Sequence, residues 1–183
     1  MGYGYLDVLD ENGNKTSEIG EFVEVHKKGQ WHATAHVWIF NFSGEVLLQQ
    51  RSFNNITFPG LLDISAAGHL DPGEGPEDAA LRELFEETGI KAKKNDLEKI
   101  KVQIQIMDAK DYKNREFVHI FILRFEGHIS DLKIDQTETA GFRFISLDQF
   151  EKEISDPELK KKYVPHGGYY NFIIKKVREE LAF

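Results

Sequence analysis

The sequence predicts an α/β fold in which a mixed β-sheet is packed by a small number of helices. Three observations point to it: several short runs of strand-like composition separated by turns, one amphipathic helix over 76–88, and a length of 183 residues with 40% hydrophobic residues. Many strands with few helices favour a sheet covered by helices. We expect one domain over 1–183, with N-terminal strands (about 1–30) and a C-terminal helix (about 168–182) as extensions.

The elements follow from local composition and turn residues. Strands are predicted at Tyr5–Leu9, Glu21–His26, His32–Phe40, Glu45–Gln50, Lys99–Met107, Phe117–His128 and Phe142–Ile145, with an apolar run at Leu61–Ala67. Asp10–Lys15 and Asn41–Gly44 are typical of turns. Helices are predicted at Leu147–Ile154 and Tyr169–Leu181, and the glycines of Val164–Phe172 favour a turn into the second of these over a flap that closes on a ligand.

The clearest predicted helix is Pro76–Thr88. Pro76 suits the first helical position, Glu77 and Asp78 suit the positive end of the helix dipole, and Gly89 suits the C-terminal stop. The expected buried stripe, at helical spacing, is Leu81, Leu84, Phe85 and Thr88.

Composition excludes several classes of function. The chain has no cysteine, which excludes disulfides, thiolate metal sites and cysteine nucleophiles. Its net charge of −8 argues against binding to a nucleic-acid backbone. Without a signal peptide or an apolar run of about 20 residues, we expect a cytoplasmic protein that does not enter membranes. An acidic protein that acts on an anionic substrate needs a cation, which a divalent metal would supply.

Three glutamates share one face of the predicted helix. Glu83, Glu86 and Glu87 lie at i, i+3 and i+4, roughly opposite the expected apolar stripe. Like charges at this spacing cost a helix about 0.2–0.5 kcal/mol per pair. A bound Mg²⁺ would turn that repulsion into coordination. The alternative is a solvated helix face in which Arg82 pairs locally with Glu86.

The spacing of the whole segment favours the metal. GHLDPGEGPEDAALRELFEETGI, residues 68–90, resembles the Nudix hydrolase box: a glycine, five residues, a glutamate, seven residues, then Arg-Glu-apolar-any-Glu-Glu-any-Gly-apolar. Every specified position is filled, by Gly68, Glu74, Arg82, Glu83, Leu84, Glu86, Glu87, Gly89 and Ile90. The resemblance implies a Nudix α/β/α sandwich with a mixed central sheet and the box helix packed on it. It also implies hydrolysis of a small-molecule diphosphate, such as a nucleoside diphosphate derivative.

The resemblance assigns roles to the box. Mg²⁺ or Mn²⁺ would be held by Glu83, Glu86, Glu87 and the Gly68 carbonyl. Arg82 and Glu74 would orient these ligands. The metal would lower the pKa of the attacking water, and the general base stays open between Glu83 and a residue outside the box. Relatives are commonly dimeric, so a homodimer is one expectation for the oligomeric state.

The flanks resemble one branch of the family, the type I isopentenyl-diphosphate isomerases. The matching stretches are WHATAHVWIFN, GEVLLQQRS, FPGLLDISAAGH and REFVHIF. The isomerase carries its catalytic cysteine directly before the box glycine, where this chain has Ala67, and its box helix is usually degraded. Both differences favour hydrolysis. The alternatives are an isomerase that uses another acid and a module that binds a diphosphate without turnover.

The isomerase resemblance also implies residues outside the box. The candidates for its histidine and glutamate metal site are His32, His69 and Glu116, with His26 as a looser match. Asn114 stands where the isomerase tends to have an acid. This departure favours hydrogen-bonded histidines that line the substrate cleft over a second metal.

Three further residues each carry two interpretations. Glu116 is either catalytic or metal-binding, or a charge at the end of a strand. Arg51 either contacts the substrate phosphates or lies on the surface. Glu138 stands where many family members carry an auxiliary glutamate, and is otherwise an ordinary surface acid.

Overall fold

The computed structural model describes residues 4–55, 57–109, 112–134, 137 and 139–182. The strands are β1 (Tyr5–Leu9), β2 (Lys15–Glu21), β3 (His32–Phe40), β4 (Glu45–Arg51), β5 (Leu62–Asp63), β6 (Ala66–His69), β7 (Leu97–Ala109), β8 (Tyr112–Arg124) and β9 (Thr139–Ser146). The α-helices are α1 (Phe22–Lys28), α2 (Pro76–Thr88), α3 (Leu147–Ser155) and α4 (Tyr169–Leu181).

Strand pairing confirms the predicted α/β fold with a mixed central sheet and helices. Within the described residues, seven strands pair in the order β5-β4-β3-β8-β7, with β6 on β3 and β9 on β4, while β1 and β2 form a separate hairpin. Strand β4 pairs antiparallel with β3, β5 and β9. This register places Gln49 opposite Asp63 of β5 and Phe142 of β9.

The chain forms two compact units, each made of separate stretches of sequence. Unit 1 comprises residues 1–36, 67–83 and 92–121, and unit 2 comprises residues 37–66, 84–91 and 122–183. In unit 1, Phe22 packs against the buried cluster of Leu6, Val8 and Val25. In unit 2, the ring of Trp38 packs beside Phe150 and Tyr169. The prediction of one domain with two extensions stays a prediction.

Helix α1 replaces a predicted strand. The prediction of a strand at Glu21–His26 is wrong, because the strand ends at Glu21 and a helix begins at Phe22. Phe22 and His26 are one helical turn apart and both face the interior, where the ring of Phe22 lies 4.2 Å from that of His26. Gly29 ends the helix in the left-handed conformation, with φ of 69°.

Helix α2 has the predicted bounds but a different buried face. The bounds Pro76–Thr88 are confirmed. Phe85, expected in the buried stripe, is 43% exposed, whereas Glu87 is only 7% exposed. The buried residues of α2 are Ala79, Ala80, Leu84, Glu87 and Thr88. The glutamates therefore do not lie opposite the buried stripe, and one of them belongs to it.

The other predicted boundaries agree with the structure in part. The bounds predicted for β1, β3 and α4 are confirmed, and those for β4 and α3 agree to within one residue. The strand predicted at Phe117–His128 instead runs over Tyr112–Arg124, and the strands predicted at Lys99–Met107 and Phe142–Ile145 extend over Leu97–Ala109 and Thr139–Ser146. The run Leu61–Ala67 contains two short strands, β5 and the start of β6. Among the described helices, none combines the length and the apolar character required to cross a bilayer.

Candidate active site

Arg82 links the loop before α2 to the helix itself. Its Nε donates to Oε1 of Glu74 at 3.0 Å and its Nη2 to Oε2 at 2.8 Å, a bidentate pair. Its Nη1 donates to Oε1 of Glu83 at 2.6 Å, and Nη2 also reaches the carbonyl of His69 at 2.9 Å. One guanidinium thus fixes two carboxylates and the backbone of β6 in a planar arrangement that lysine could not reproduce.

These contacts shift the pKa of both partners. Hydrogen bonding to Glu74 is the largest cause that raises the pKa of Arg82 above its usual value. Burial alone would raise the pKa of Glu74, but the hydrogen bond from Arg82 and the attraction of its charge lower it. Arg82 and Glu74 therefore stay ionised at neutral pH.

The backbone of β6 lies directly beneath the carboxylate of Glu83. A Cβ built on Gly68 would lie 2.5 Å from Oε2 of Glu83 and closer still to Oε1 and Cδ. Real Cβ atoms essentially never approach another atom this closely. A side chain at position 68 would therefore displace the carboxylate of Glu83.

The three glutamates differ in exposure. The side chain of Glu83 is 12% exposed, Glu86 is exposed, and Glu87 is buried. In unit 2, Nε2 of Gln49 donates to Oε2 of Glu87 at 3.0 Å. The helix presents carboxylates at i, i+3 and i+4, with Arg82 as a donor to Glu83 and Gln49 as a donor to Glu87.

A second cluster lies in unit 1. One nitrogen from each of His26, His32 and His69 and one oxygen of Glu116 all lie within 4.8 Å of one another. Oε1 of Glu116 is 3.6 Å from Nε2 of His32 and 3.5 Å from Nε2 of His69, contacts longer than an ordinary hydrogen bond. Burial opposes ionisation of Glu116, but the two imidazoles outweigh it and hold its pKa well below the usual range.

The tautomers of two histidines follow from their neighbours. Nδ1 of His26 lies 2.8 Å from the Phe22 carbonyl, and Nδ1 of His32 lies 3.0 Å from the Gln30 carbonyl. Because a carbonyl only accepts, each Nδ1 carries the proton and each Nε2 carries a lone pair. The Nε2 atoms of His26 and His32 are buried and make no hydrogen bond, and the same is true of Nε2 of His69.

A cluster of lone pairs facing a carboxylate fits a cation. Metal-binding histidines commonly donate their second nitrogen to a carbonyl, as His26 and His32 do. Burial lowers the pKa of His26 to about 4, which keeps its imidazole neutral, the form that binds metal. His26 and His32 are hydrogen-bonded through Nδ1, whereas the Nε2 atoms of His26, His32 and His69 have no hydrogen-bond partner.

Arg51 is held by protein groups at the end of β4. Its Nη1 donates to Oδ2 of Asp63 at 3.1 Å and its Nε to the Thr57 carbonyl at 3.1 Å. Oδ1 of Asp63 also lies 2.8 Å from Nε2 of His166. Burial would raise the pKa of Asp63, but His166 and Arg51 together lower it. The structure therefore places Arg51, whose side chain is 23% exposed, in an ion pair with the buried Asp63.

The structure thus gathers most of the predicted residues into three groups. Gly68, Arg82 and Glu83 belong to one network, His26, His32, His69 and Glu116 form the second, and Arg51 lies in the third. Asn114 is buried two residues before Glu116 on β8, with Oδ1 unpaired. Glu138 lies outside the described residues.

Three residues with specific buried contacts, Gln49, Asp63 and His166, are not among the candidates that the sequence predicts. A signal was present for two of them, since each is a polar residue inside an apolar run, VLLQQ and LLDIS. Buried polar side chains require partners, so such residues indicate specific contacts.

Comparison with known proteins identifies the box. A family profile described as the NUDIX domain matches residues 30–166. The chain belongs to the Nudix family. Members of this family are hydrolases that generally cleave pyrophosphate bonds in nucleoside diphosphate derivatives and generally use a divalent metal.

Relatives named as Nudix hydrolases and as isomerases both match. An uncharacterised Nudix hydrolase of Clostridium acetobutylicum is 30% identical over 96% of this chain and 98% of its own length. An isopentenyl-diphosphate Δ-isomerase of Burkholderia multivorans is 29% identical over 76% of this chain and 77% of its own length. Membership of the family and the named hydrolases support a Nudix hydrolase, and the isomerases form a branch on the same fold.

A solved structure supports the fold independently. The crystal structure of a Deinococcus radiodurans protein superimposes with a TM-score of 0.68 over 94% of this chain and 98% of its own, at 16% identity. At that identity the likeness concerns the fold alone.

Proposed function

We propose that this Nudix protein is a metal-dependent diphosphohydrolase that cleaves a diphosphate linkage in a nucleoside diphosphate derivative by water attack at phosphorus. The observation that carries the proposal is the Arg82 network, which holds the Glu83 carboxylate above Gly68. A helix that presents Glu83, Glu86 and Glu87 on neighbouring positions then supplies the oxygen ligands that Mg²⁺ or Mn²⁺ prefers.

Each residue has a distinct task in this proposal. Glu83, Glu86 and Glu87, with the Gly68 carbonyl, hold the cation. Arg82 and Glu74 fix the orientation of Glu83 through the short hydrogen bonds described above. A cation bound there polarises a phosphoryl oxygen and lowers the pKa of the attacking water. Because the transferred group develops charge on its oxygens, positioning and neutralisation supply most of the rate.

The test is a turnover screen of the purified protein with Mg²⁺ and with Mn²⁺. The panel contains nucleoside triphosphates, nucleotide sugars, dinucleoside polyphosphates, coenzyme A, ADP-ribose and prenyl diphosphates. We expect release of phosphate or a nucleoside monophosphate from at least one class, and loss of that release in Glu86→Gln. Glu151→Gln, an exposed glutamate on α3, is the matched control. The absence of turnover with every compound in the panel would contradict the proposal, and so would turnover by Glu86→Gln equal to that of the wild type.

We also infer that the His26, His32, His69 and Glu116 cluster holds a second divalent cation. Three buried nitrogens without hydrogen bonds face one carboxylate, and imidazole suits Zn²⁺ and other transition metals. Metal content after dialysis against Zn²⁺ is the measurement. The wild type should retain one more equivalent than His32→Ala, and equal retention would contradict the inference.

An isomerase is the second candidate function. The likeness to the Burkholderia multivorans isomerase favours it, together with the buried Glu116 beside two histidines. Against it stands Ala67, which offers no acid before the box glycine. Incubation with isopentenyl diphosphate in D₂O separates the two functions. Deuterium in the recovered substrate, lost in Glu116→Gln, would support the isomerase, and its absence would exclude it.

A further inference from the structure

We propose that Gln49 is a positioning residue that holds Glu87 in the orientation required to bind the cation of the Nudix box. The proposal rests on the proposed function, because it concerns the same glutamates. It adds a residue that lies outside the box, on strand β4, and that the box pattern does not contain. The contact that motivates it is the hydrogen bond from Nε2 of Gln49 to Oε2 of Glu87, at 3.0 Å.

The location of Gln49 is costly for an amide. Strand β4 is apolar before it, since Val46, Leu47 and Leu48 are fully buried, and Gln49 itself is only 5% exposed. Burial of an amide without a hydrogen bond lowers the stability of the folded protein. The bond to Glu87 offsets that cost. An apolar residue at position 49 would fit the buried strand equally well. The hydrogen bond to Glu87 therefore accounts for an amide at this position.

The partner is equally constrained. Glu87 is 7% exposed and lies on the buried face of α2. A carboxylate in that environment needs donors, and the N–H of Gln49 favours one orientation of its oxygens. Because the amide is neutral, it orients Glu87 without cancelling the negative charge that attracts a cation. A lysine or arginine in its place would compete with the metal.

The neighbour across the sheet is already satisfied. Asp63, directly opposite Gln49 on β5, accepts from Arg51 at 3.1 Å, from the backbone of Ile64 at 2.9 Å and contacts His166 at 2.8 Å. The donor of Gln49 is therefore directed to Glu87 and not to the nearer strand. Of the carboxylates of Glu87 and Asp63, the side chain of Gln49 donates to that of Glu87.

The test measures metal binding and needs no substrate. Mn²⁺ is titrated into the wild type and followed by electron paramagnetic resonance of the free ion, and the binding that Glu86→Gln removes defines the box component. In Gln49→Met, which keeps the volume and loses the donor, the box component should weaken by about 10–100-fold. The matched control is Gln50→Met, because Gln50 also donates one side-chain hydrogen bond, to the Gly60 carbonyl at 3.2 Å. It should bind Mn²⁺ as the wild type does.

A second variant and a stability measurement separate positioning from folding. Gln49→Glu replaces the donor by an acceptor and should weaken the box component at least as much as Gln49→Met. If Gln49→Met lowers the melting temperature but leaves the box affinity unchanged, the role is structural and the proposal is overturned. If Glu86→Gln removes binding while both Gln49 variants bind normally, only this proposal fails. If Glu86→Gln removes nothing, the proposed function fails with it.

Discussion

Substitution of Gly68 by alanine tests the close approach of β6 to the glutamate ligand. The φ angle at Gly68 is not in the left-handed region, so alanine is compatible with the backbone and acts only through its Cβ. That Cβ would lie 2.5 Å from Oε2 of Glu83, against about 3.4 Å for ordinary contact, and the other carboxylate atoms are nearer still. The carboxylate must therefore retreat by more than about 1 Å, because its two nearer atoms set the required shift.

A displacement of this size is large for a metal ligand. Ligand distances are held to within about 0.2 Å, and a misplacement of about 1 Å costs about 10²-fold in activity. We expect Gly68→Ala to weaken Mn²⁺ binding by about 10–100-fold, measured by titration, while the protein stays folded in a thermal unfolding experiment. Gly141→Ala is the control, because no atom lies within 4 Å of a Cβ at Gly141. Wild-type Mn²⁺ affinity in Gly68→Ala would refute the reasoning.

Two further predictions concern Arg82 and the partly buried His119. Arg82→Lys keeps the positive charge but loses the planar guanidinium that binds both Glu74 and Glu83, so turnover should fall by about 10–100-fold. Arg178→Lys, on the surface, is the control and should leave turnover unchanged. Equal turnover in the two variants would contradict the prediction. Burial lowers the pKa of His119 from the ordinary 6.5 to about 4. Between pH 6.5 and pH 4, His119 is therefore protonated in the unfolded chain but neutral in the folded chain. The stability contributed by neutral His119 is present above pH 6.5 and lost towards pH 4, by at most about 3 kcal/mol. Urea unfolding at pH 7 and pH 4.5 should show a smaller pH dependence for His119→Gln, and the same dependence as in the wild type would be evidence against it.

The sequence was most informative where one local pattern decides the structure. Pro76 and Gly89 define the bounds of α2, and the β-branched and aromatic residues of His32–Phe40 predict β3. The box residues are contiguous enough that their spacing on a helix places them together. These features depend on neighbours in sequence, so no tertiary information was needed.

The errors arose where tertiary packing decides. The β-branched residues of EFVEVH suggested a strand, but Phe22, Val25 and His26 are at helical spacing and pack inward, and Gly29 ends a helix. Phe85 is apolar but exposed. Glu87 is acidic but buried, and Gln49, on a strand distant in sequence, provides it with a hydrogen-bond donor. Hydrophobicity alone could not place either residue.

The contacts of Asp63 were also beyond the sequence. The residues that bind it, Arg51 and His166, are 12 and 103 positions away, and only the folded chain brings them to the same carboxylate. The four residues of the histidine and glutamate cluster lie on α1, β3, β6 and β8, and the sequence brings them together only through the resemblance to the isomerases.

Turnover in H₂¹⁸O tests the central claim, attack by water at phosphorus under control of the box glutamates. The substrate identified by the screen is converted with Mg²⁺ in labelled water, and the products are analysed by mass spectrometry. We expect one ¹⁸O atom in a phosphate-bearing product for the wild type and no labelled product above background for Glu86→Gln. Products without the label on phosphate, or equal labelling by Glu86→Gln, would contradict it.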